Sequence, residues 1–269
     1  MIEKLAASIQ KFIFCYAITA DPSSFIRLLI NTKRYRYAKK TIMHSSIPVP
    51  YHLQMNGKKR TVFLRTYTGD IEIFYEVFWR KAYCFPRQYE FKPAVVVDLG
   101  ANTGMTSLFF SLCYFPVMVY AVEPDEYNVT MLLRNLSTEI SEGRARALHA
   151  AIYKEDASVY MQVKDKAYNT AISREVTDMP IRAISMDTLC TMFELDKIDL
   201  LKIDIEGSEE ALFSENTGWL DKVNMIVMEI HNVSCQHIYE AILRKRGFII
   251  EQSYKTPSFS NLLWARRQQ

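Results

Sequence analysis

Val95-Val96-Val97-Asp98-Leu99-Gly100-Ala101-Asn102-Thr103-Gly104 is the stretch whose reading decides the fold. A run of β-branched residues that stops at an acid and a glycine reads as a buried parallel strand followed by a turn. From Met105 the apolar positions change to helical spacing, with Leu108, Phe109 and Leu112 near one face. Strand, glycine turn and helix together let backbone N–H groups approach a ligand closely, because glycine has no Cβ to hold it off.

The spacing inside the turn narrows the ligand. A dinucleotide fingerprint requires glycine, one residue, glycine, two residues, glycine. Here Asn102 occupies the second glycine position, and Asp98 precedes the turn. An acid at that point repels a pyrophosphate and attracts a cation. S-adenosylmethionine, with a sulfonium and an ammonium group, suits it better. Residues 117–122 form a second apolar run that ends at Glu123-Pro124. An acid about 20 residues beyond such a turn is where a ribose hydroxyl pair is held, since one carboxylate accepts from both hydroxyls. Glu123 could also cap the helix starting near Asp125; its position after a buried strand favours the ribose.

Outward from this pair the alternation continues. Apolar runs at 145–151, 197–204 and 223–230 read as the third to fifth strands. Helical patterns occupy 126–140, 208–214 and 236–246, and residues 157–163 and 181–186 read as extra strands inserted before the fourth. Residues 248–252 and 261–266 flank a short connection and predict an antiparallel pair at one edge. The expected fold is α/β, a mainly parallel sheet with helices on both faces. Upstream, helical patterns cover 2–16, 22–31 and 33–43, Asn56-Gly57 predicts a hairpin, and 70–79 is apolar at helical spacing.

In such a sheet, ligands bind beyond the carboxyl ends of the strands. Asp98, Glu123 and Asp204 stand at three of those ends, Glu206 follows the fourth strand, and Glu229 and His231 mark the fifth. Asp204 is expected beside the methyl donor or acceptor. Glu206 could line the substrate pocket or cap the next helix. His231 could be a general base, its reference pKa lying near neutrality, or a satisfied histidine at a strand end. No cluster demands a metal, so none is expected.

The chain has 269 residues, 49% of them hydrophobic and 23% charged, as in an ordinary globular protein. Five scattered cysteines without a C-x-x-C pair argue for a reducing compartment and against a disulfide framework or a zinc site. Ile2, Leu5, Ala6, Ile9, Phe12, Ile13 and Tyr16 form a helical stripe, so a signal peptide is not expected; the helix packs on the body or lies on a membrane. Residues 1–65 hold twelve Lys or Arg against two acids, and Lys33, Arg34, Arg36, Lys39 and Lys40 lie close together. That is either a solvated helix face or a site, through residues 33–60, for an anionic substrate, an acidic membrane surface or nucleic acid.

Five segments, taken together, resemble the FkbM family of S-adenosylmethionine-dependent methyltransferases: VVVDLGANTGMTSLFF (95–110), VYAVEPDEYNVTMLLRNL (119–136), ISMDTL (184–189), LLKIDIEGSEEALF (200–213) and IVMEIH (226–231). Residues 69–83 resemble the segment that precedes them in that family. The resemblance implies a class I methyltransferase (Rossmann-like) fold, a seven-stranded mainly parallel sheet with an antiparallel last strand. It divides the chain into a basic helical and hairpin extension, 1–68, and a methyltransferase domain, 69–269. It further implies S-adenosyl-L-methionine as cofactor, with Asp98, Gly100, Ala101, Asn102 and Gly104 around its methionine end, Glu123 on the ribose and the backbone near Ala151 at the adenine. Asp204 would sit beside the reacting centre, and Asp204, His231 or Glu206 would take the proton.

The activity so implied is O-methylation of a hydroxyl, on a sugar or glycan or on a small natural product, by a cytoplasmic enzyme that could be peripheral to a membrane. Two readings compete with it. A nucleic-acid methyltransferase fits the basic N-terminus, yet Asp204-Ile205-Glu206-Gly207 stands where an amino-methylating enzyme of DNA carries two prolines and an aromatic, and acids there repel phosphates. A non-catalytic binding protein could also retain the fold.

Overall fold

The structure is a computed structural model that describes residues 2–38, 47–84, 91–163, 170–173, 180–256 and 259–268. Its elements begin with α1 (Ile2–Ile18), α2 (Pro22–Ala38), the hairpin β1 (Pro48–Met55) and β2 (Lys58–Arg65), and α3 (Asp70–Phe74), which runs on into a π-helical turn (Tyr75–Trp79). There follow β3 (Val95–Leu99), α4 (Met105–Tyr114), β4 (Met118–Glu123), α5 (Glu126–Asn135), α6 (Ser137–Ser141) and β5 (Ala145–His149). An inserted set comprises β6 (Ala151–Ile152), β7 (Ala157–Val163), β8 (Thr170–Ser173) and β9 (Pro180–Ile184). The chain ends with α7 (Met186–Met192), β10 (Leu200–Ile203), α8 (Glu209–Ser214), β11 (Met225–Glu229), α9 (Gln236–Lys245), β12 (Phe248–Thr256) and β13 (Phe259–Arg267).

The seven-stranded sheet has the order β12-β13-β11-β10-β3-β4-β5. β10 pairs in parallel with β3 and β11, β3 with β4, and β4 with β5; β13 runs antiparallel to both its neighbours. This is the doubly wound arrangement expected, with an antiparallel last strand. The strand order reverses next to β3, so the ends of β3, β4 and β10 open into one crevice.

Alternation along the strands sends successive side chains to opposite faces. Val96, Val119, Leu200 and Val227 face one apolar cluster with Leu108 of α4 and Leu132 of α5. Val97, Leu99, Val122, Leu201, Ile203 and Ile226 face the other, with Leu189, Leu212 and Leu243 from α7, α8 and α9. Cys15, Leu28, Tyr51 and Leu64 belong to the first cluster, so the N-terminal helices and the hairpin share a core with the central sheet.

The hairpin turn has Asn56 and Gly57 at positive φ (49° and 75°), the pair of left-handed residues a two-residue turn demands. Elsewhere the elements depart from the sequence expectation, as where the helix expected over 126–140 breaks at Leu136 into α5 and α6. The third strand, expected over 145–151, divides at Ala150, whose N–H donates to the Glu123 carbonyl at 3.1 Å; Ala151 and Ile152 then pair with β9 in the second sheet. α2 passes through Asn31, where its pattern was expected to break, because both buried polar residues there are satisfied: Asn31 donates to the Tyr51 hydroxyl at 2.7 Å, and Thr32 donates to the Leu28 carbonyl at 2.7 Å. Residues 39–43, read as helical from the sequence, lie outside the described residues. β10 is shorter than its apolar run, and Asp204 stands just past its end.

Candidate functional site

Gly100 fixes the shape of the crevice. It has φ 72°, and a Cβ placed on it would lie 1.8 Å from the Asp204 carbonyl oxygen. The turn after β3 therefore packs backbone to backbone on the exit of β10. Asn102 and Glu206, on the two turns, also hold left-handed backbone (φ 50° and 52°). Such conformations cost free energy in a residue other than glycine and concentrate at binding sites.

Two clefts meet at this junction. One, of about 580 Å³, is walled by Val122, Pro124, Ala150, Ile152 and Ile205, with Glu123 and Asn128 as polar groups. The other, of about 710 Å³, reaches toward Glu76, Tyr83, Ala101, Lys202 and Glu229. Gly100, Asn102, Asp204 and Glu206 line both.

Glu123 is almost fully buried in the wall of the first cleft. Its carboxylate accepts from the Asn102 N–H at 2.7 Å and the Asp125 N–H at 3.0 Å. Burial pushes its pKa up to about 7 against the pull of those two backbone donors. The Asn128 side chain adds a further stabilising contact to the same carboxylate.

Lys202 sits at the floor of the second cleft, in mid-strand. It donates to the Gly100 carbonyl at 2.7 Å and the Leu99 carbonyl at 3.2 Å, and it lies 3.1 Å from Asp98 and 3.3 Å from Asp204. Burial opposes its charge, yet the Asp204 and Asp98 carboxylates outweigh burial and hold its pKa above the ordinary lysine value. The Tyr83 hydroxyl donates to Asp204 at 3.0 Å and to Glu229 at 3.3 Å. Glu76 shares this cleft, and burial beside Glu229 and Asp204 raises its pKa to about 7.

On the far side of Asp204 stands His231. Its Nε2 lies 3.6 Å from Asp204 and 3.5 Å from Glu206, and its Nδ1 lies 2.9 Å from the buried Glu209. Burial works against the imidazolium, but the Glu209 hydrogen bond and the three carboxylates raise its pKa to about 9. Burial and Asp204 together lift Glu206 to about 8. Among the described residues, Asp204, Glu206 and His231 form the group whose donor atoms converge within 4.8 Å, close enough to share a small cation.

The crevice suits S-adenosylmethionine in chemistry. Its apolar walls end at the buried Glu123 carboxyl, and its other half gathers the acids Asp204, Glu229, Glu76 and Glu206 around one ammonium, a lining better suited to a cation than to a phosphate. Comparison with known proteins agrees. The methyltransferase FkbM domain matches residues 98–250, more than half of the chain.

The chain belongs to the FkbM methyltransferase family.

Its relatives include methyltransferase sdnD of Sordaria araneosa, 25% identical over 64% of this chain and 81% of that one. The hexuronic acid methyltransferase AglP of Haloferax volcanii is 27% identical, over 51% of this chain and 56% of its own length. A crystal structure of methyltransferase FkbM from Methylobacillus flagellatus KT shares the fold, with a TM-score of 0.51 at 14% identity; the match covers 98% of this chain and 60% of that one. The protein is thus an S-adenosylmethionine-dependent methyltransferase of FkbM type.

Within this FkbM fold the sequence-derived residues separate into groups. Gly100, Asn102, Glu123, Asp204 and Glu206 line the clefts, as does Ala101 in the second. Asp98 does not appear on either wall: it is wholly buried, accepts from the Ser107 hydroxyl at 2.6 Å and is paired with Lys202. Its negative charge, read from the sequence as facing the ligand, is compensated inside the fold. Gly104 caps α4 and packs on Leu132 rather than on a cleft. At the expected adenine position Ala150 and Ile152 reach the cleft, while Ala151 between them packs into the second sheet with Val159 and Ala183. His231 contacts the site through its carboxylate neighbours.

Sequence reading missed Lys202, Tyr83, Glu76, Glu209 and Asn128. Lys202 carried a signal: a lysine between Leu201 and Ile203, in a strand otherwise apolar, needs an internal partner. Tyr83 and Glu76 lie in the segment 69–83 that resembles the family's entry segment, but the strand pattern does not define its path, so their arrival at the cleft could not be read.

Proposed function

We propose that this FkbM methyltransferase transfers the methyl group of S-adenosylmethionine to a hydroxyl oxygen of a sugar or glycan. The observation that carries the reading is the Asp204–Glu206–His231 group at the junction of the two clefts, where a proton released from an acceptor can be held. S-adenosylmethionine supplies an activated methyl group on a sulfonium. The chain's own residues must hold the acceptor oxygen in line and receive one proton.

Glu123 accepts from the ribose hydroxyls in this reading, with Val122, Pro124 and Ile152 as the apolar wall for the base. Asp204 and Glu229, with the Tyr83 hydroxyl between them, face the positively charged end. Asp204, or Glu206 once ionised, receives the hydroxyl proton. His231 is an imidazolium at neutral pH and acts by holding both carboxylates, not as the free base. An alcohol gives up its proton as the new bond forms, so a base need only be within reach at that moment.

A sugar acceptor is favoured by the named activity of the Haloferax relative. The acids of the second cleft disfavour a nucleic-acid acceptor, whose phosphates they would repel. The test is turnover. Purified protein is incubated with S-adenosylmethionine and a panel of uronic acid glycosides, neutral glycosides and RNA, and released S-adenosylhomocysteine is measured. Release with a glycoside, and an ether methyl in the product, supports the proposal. Release with RNA alone would overturn it.

A further inference from the structure

We propose that the outer face of α1 and α2 docks on an anionic lipid bilayer. The apolar stripe that amphipathicity would send into the core faces outward. Ile9, Phe12, Ile13 and Tyr16, spaced for one helix face, are all exposed, Ile13 by 58% and Tyr16 by 72%. The opposite face is the one that packs: Cys15 is fully buried, with its Sγ 3.2 Å from the Tyr75 hydroxyl, and Ile18 joins the same core. The second half of α1 is therefore apolar on both sides, as in a helix with a neighbour on each.

α2 continues the face. Ile26 and Ile30 are exposed by 54% and 46%, and Tyr37 by 82%. At about 100° per residue these three share one side of the helix. Phe25 joins the helices across the seam, edge-on to Phe12 at 5.1 Å and to Tyr16 at 5.8 Å. The exposed apolar residues of α1 thus meet those at the start of α2 across Phe25.

Charge identifies the occupant. The same helical spacing puts Lys33 in line with Ile26 and Tyr37, and Arg34 and Arg36 on the two flanks; all three are exposed. Across residues 1–65 basic residues outnumber acids twelve to two. A second copy of this face would bring like charges together. Anionic headgroups neutralise them, and aromatic residues with polar tips suit the boundary between headgroups and acyl chains. No helix among the described residues is long and apolar enough to cross a membrane, so the pair lies along the surface. The surface lies N-terminal to most of the 33–60 segment that charge alone suggested.

The test is co-sedimentation of the full chain with phosphatidylcholine vesicles, with and without phosphatidylglycerol, together with analytical ultracentrifugation of the protein alone. The expected result is binding to phosphatidylglycerol vesicles that is weakened by high salt. Ile13→Ser/Tyr16→Ser and Lys33→Glu/Arg34→Glu should each weaken it roughly tenfold or more. All four side chains are exposed, and a cooperative circular dichroism melt of each variant certifies folding. Failure of the folded parent to bind, or equal binding to neutral vesicles, would overturn the proposal. So would a dimer that Ile13→Ser/Tyr16→Ser dissociates, which would assign the face to a second copy.

Discussion

Lys202 Nζ lies 3.1 Å from Asp98 Oδ1, and both side chains are cut off from solvent beneath the turn that follows β3. The same ammonium binds the carbonyls of Leu99 and Gly100, so one cation ties the strand end, the turn and Asp204 together. Removing one partner of a buried pair leaves an uncompensated charge and costs about 3–5 kcal/mol. Lys202→Met should lower the melting temperature by roughly 2–4 °C for each kcal/mol lost. Adding Asp98→Asn to it should restore part of the loss, since the orphaned charge goes but the two carbonyls still lack their donor. Calorimetry of both variants checks this; a Lys202→Met protein as stable as the parent would show that the pair does not hold the turn.

Glu123 predicts a pH dependence for cofactor binding. Burial sets its pKa at about 7, and donors on a ribose bind the ionised form better. Binding then draws the proton off, so affinity for S-adenosylmethionine should rise as pH increases from 6 to 8, by up to about tenfold per unit below the pKa. Titration calorimetry across that range measures it. Glu123→Gln, which cannot ionise, should bind weakly and without that slope. A slope that survives the substitution would transfer the effect to Glu76 or Glu206.

His231 should stabilise the fold in a window set by its own shift. Its pKa rises from 6.5 to about 9 on folding, held up by Glu209 against burial. A raised folded-state pKa gives stability that is complete below the unfolded value and is lost as pH climbs through the folded one. His231→Gln should therefore be less stable than the parent at pH 6, with the gap closing between pH 7 and 10 in denaturant melts. Activity should run the other way over part of the range. Glu206, lifted to about 8, becomes a proton acceptor only as it ionises, so turnover should increase from pH 7 to 8.5, and Glu206→Gln should flatten that rise.

The parallel sheet was legible in the sequence because buried strands write continuous apolar runs rich in β-branched residues, as residues 95–97 and 225–227 do plainly. Glu123 and Asp204 were legible because the strand pattern marks their ends. What stayed hidden depends on packing between distant segments. Asp98 looks the same on paper whether it faces a ligand or Lys202, 104 positions along the chain by number, and only the register of β10 on β3, which sets Lys202 beside Asp98, decides it. The outward turn of the α1 stripe was equally hidden, since periodicity reports that a helix has two faces and says nothing of which one the core takes.

Gly100 gives the sharpest test of the junction itself. A methyl group there would sit 1.8 Å from the Asp204 carbonyl oxygen, and the obstacle is backbone, which cannot swing aside as a side chain does. Its φ of 72° adds strain for any residue with a Cβ. Gly100→Ala must therefore push the β10 exit away from the turn, separating Asp204 from the cleft that Glu123 lines. The expected outcome is loss of S-adenosylmethionine binding by at least about tenfold, together with a stability loss of roughly 1–3 kcal/mol. Gly57→Ala is the control. It has the same sign of φ (75°) but open space around the added methyl, so it should lose stability alone and bind the cofactor like the parent. Equal binding by Gly100→Ala and the parent would mean that the two turns need not touch for the cofactor to be held.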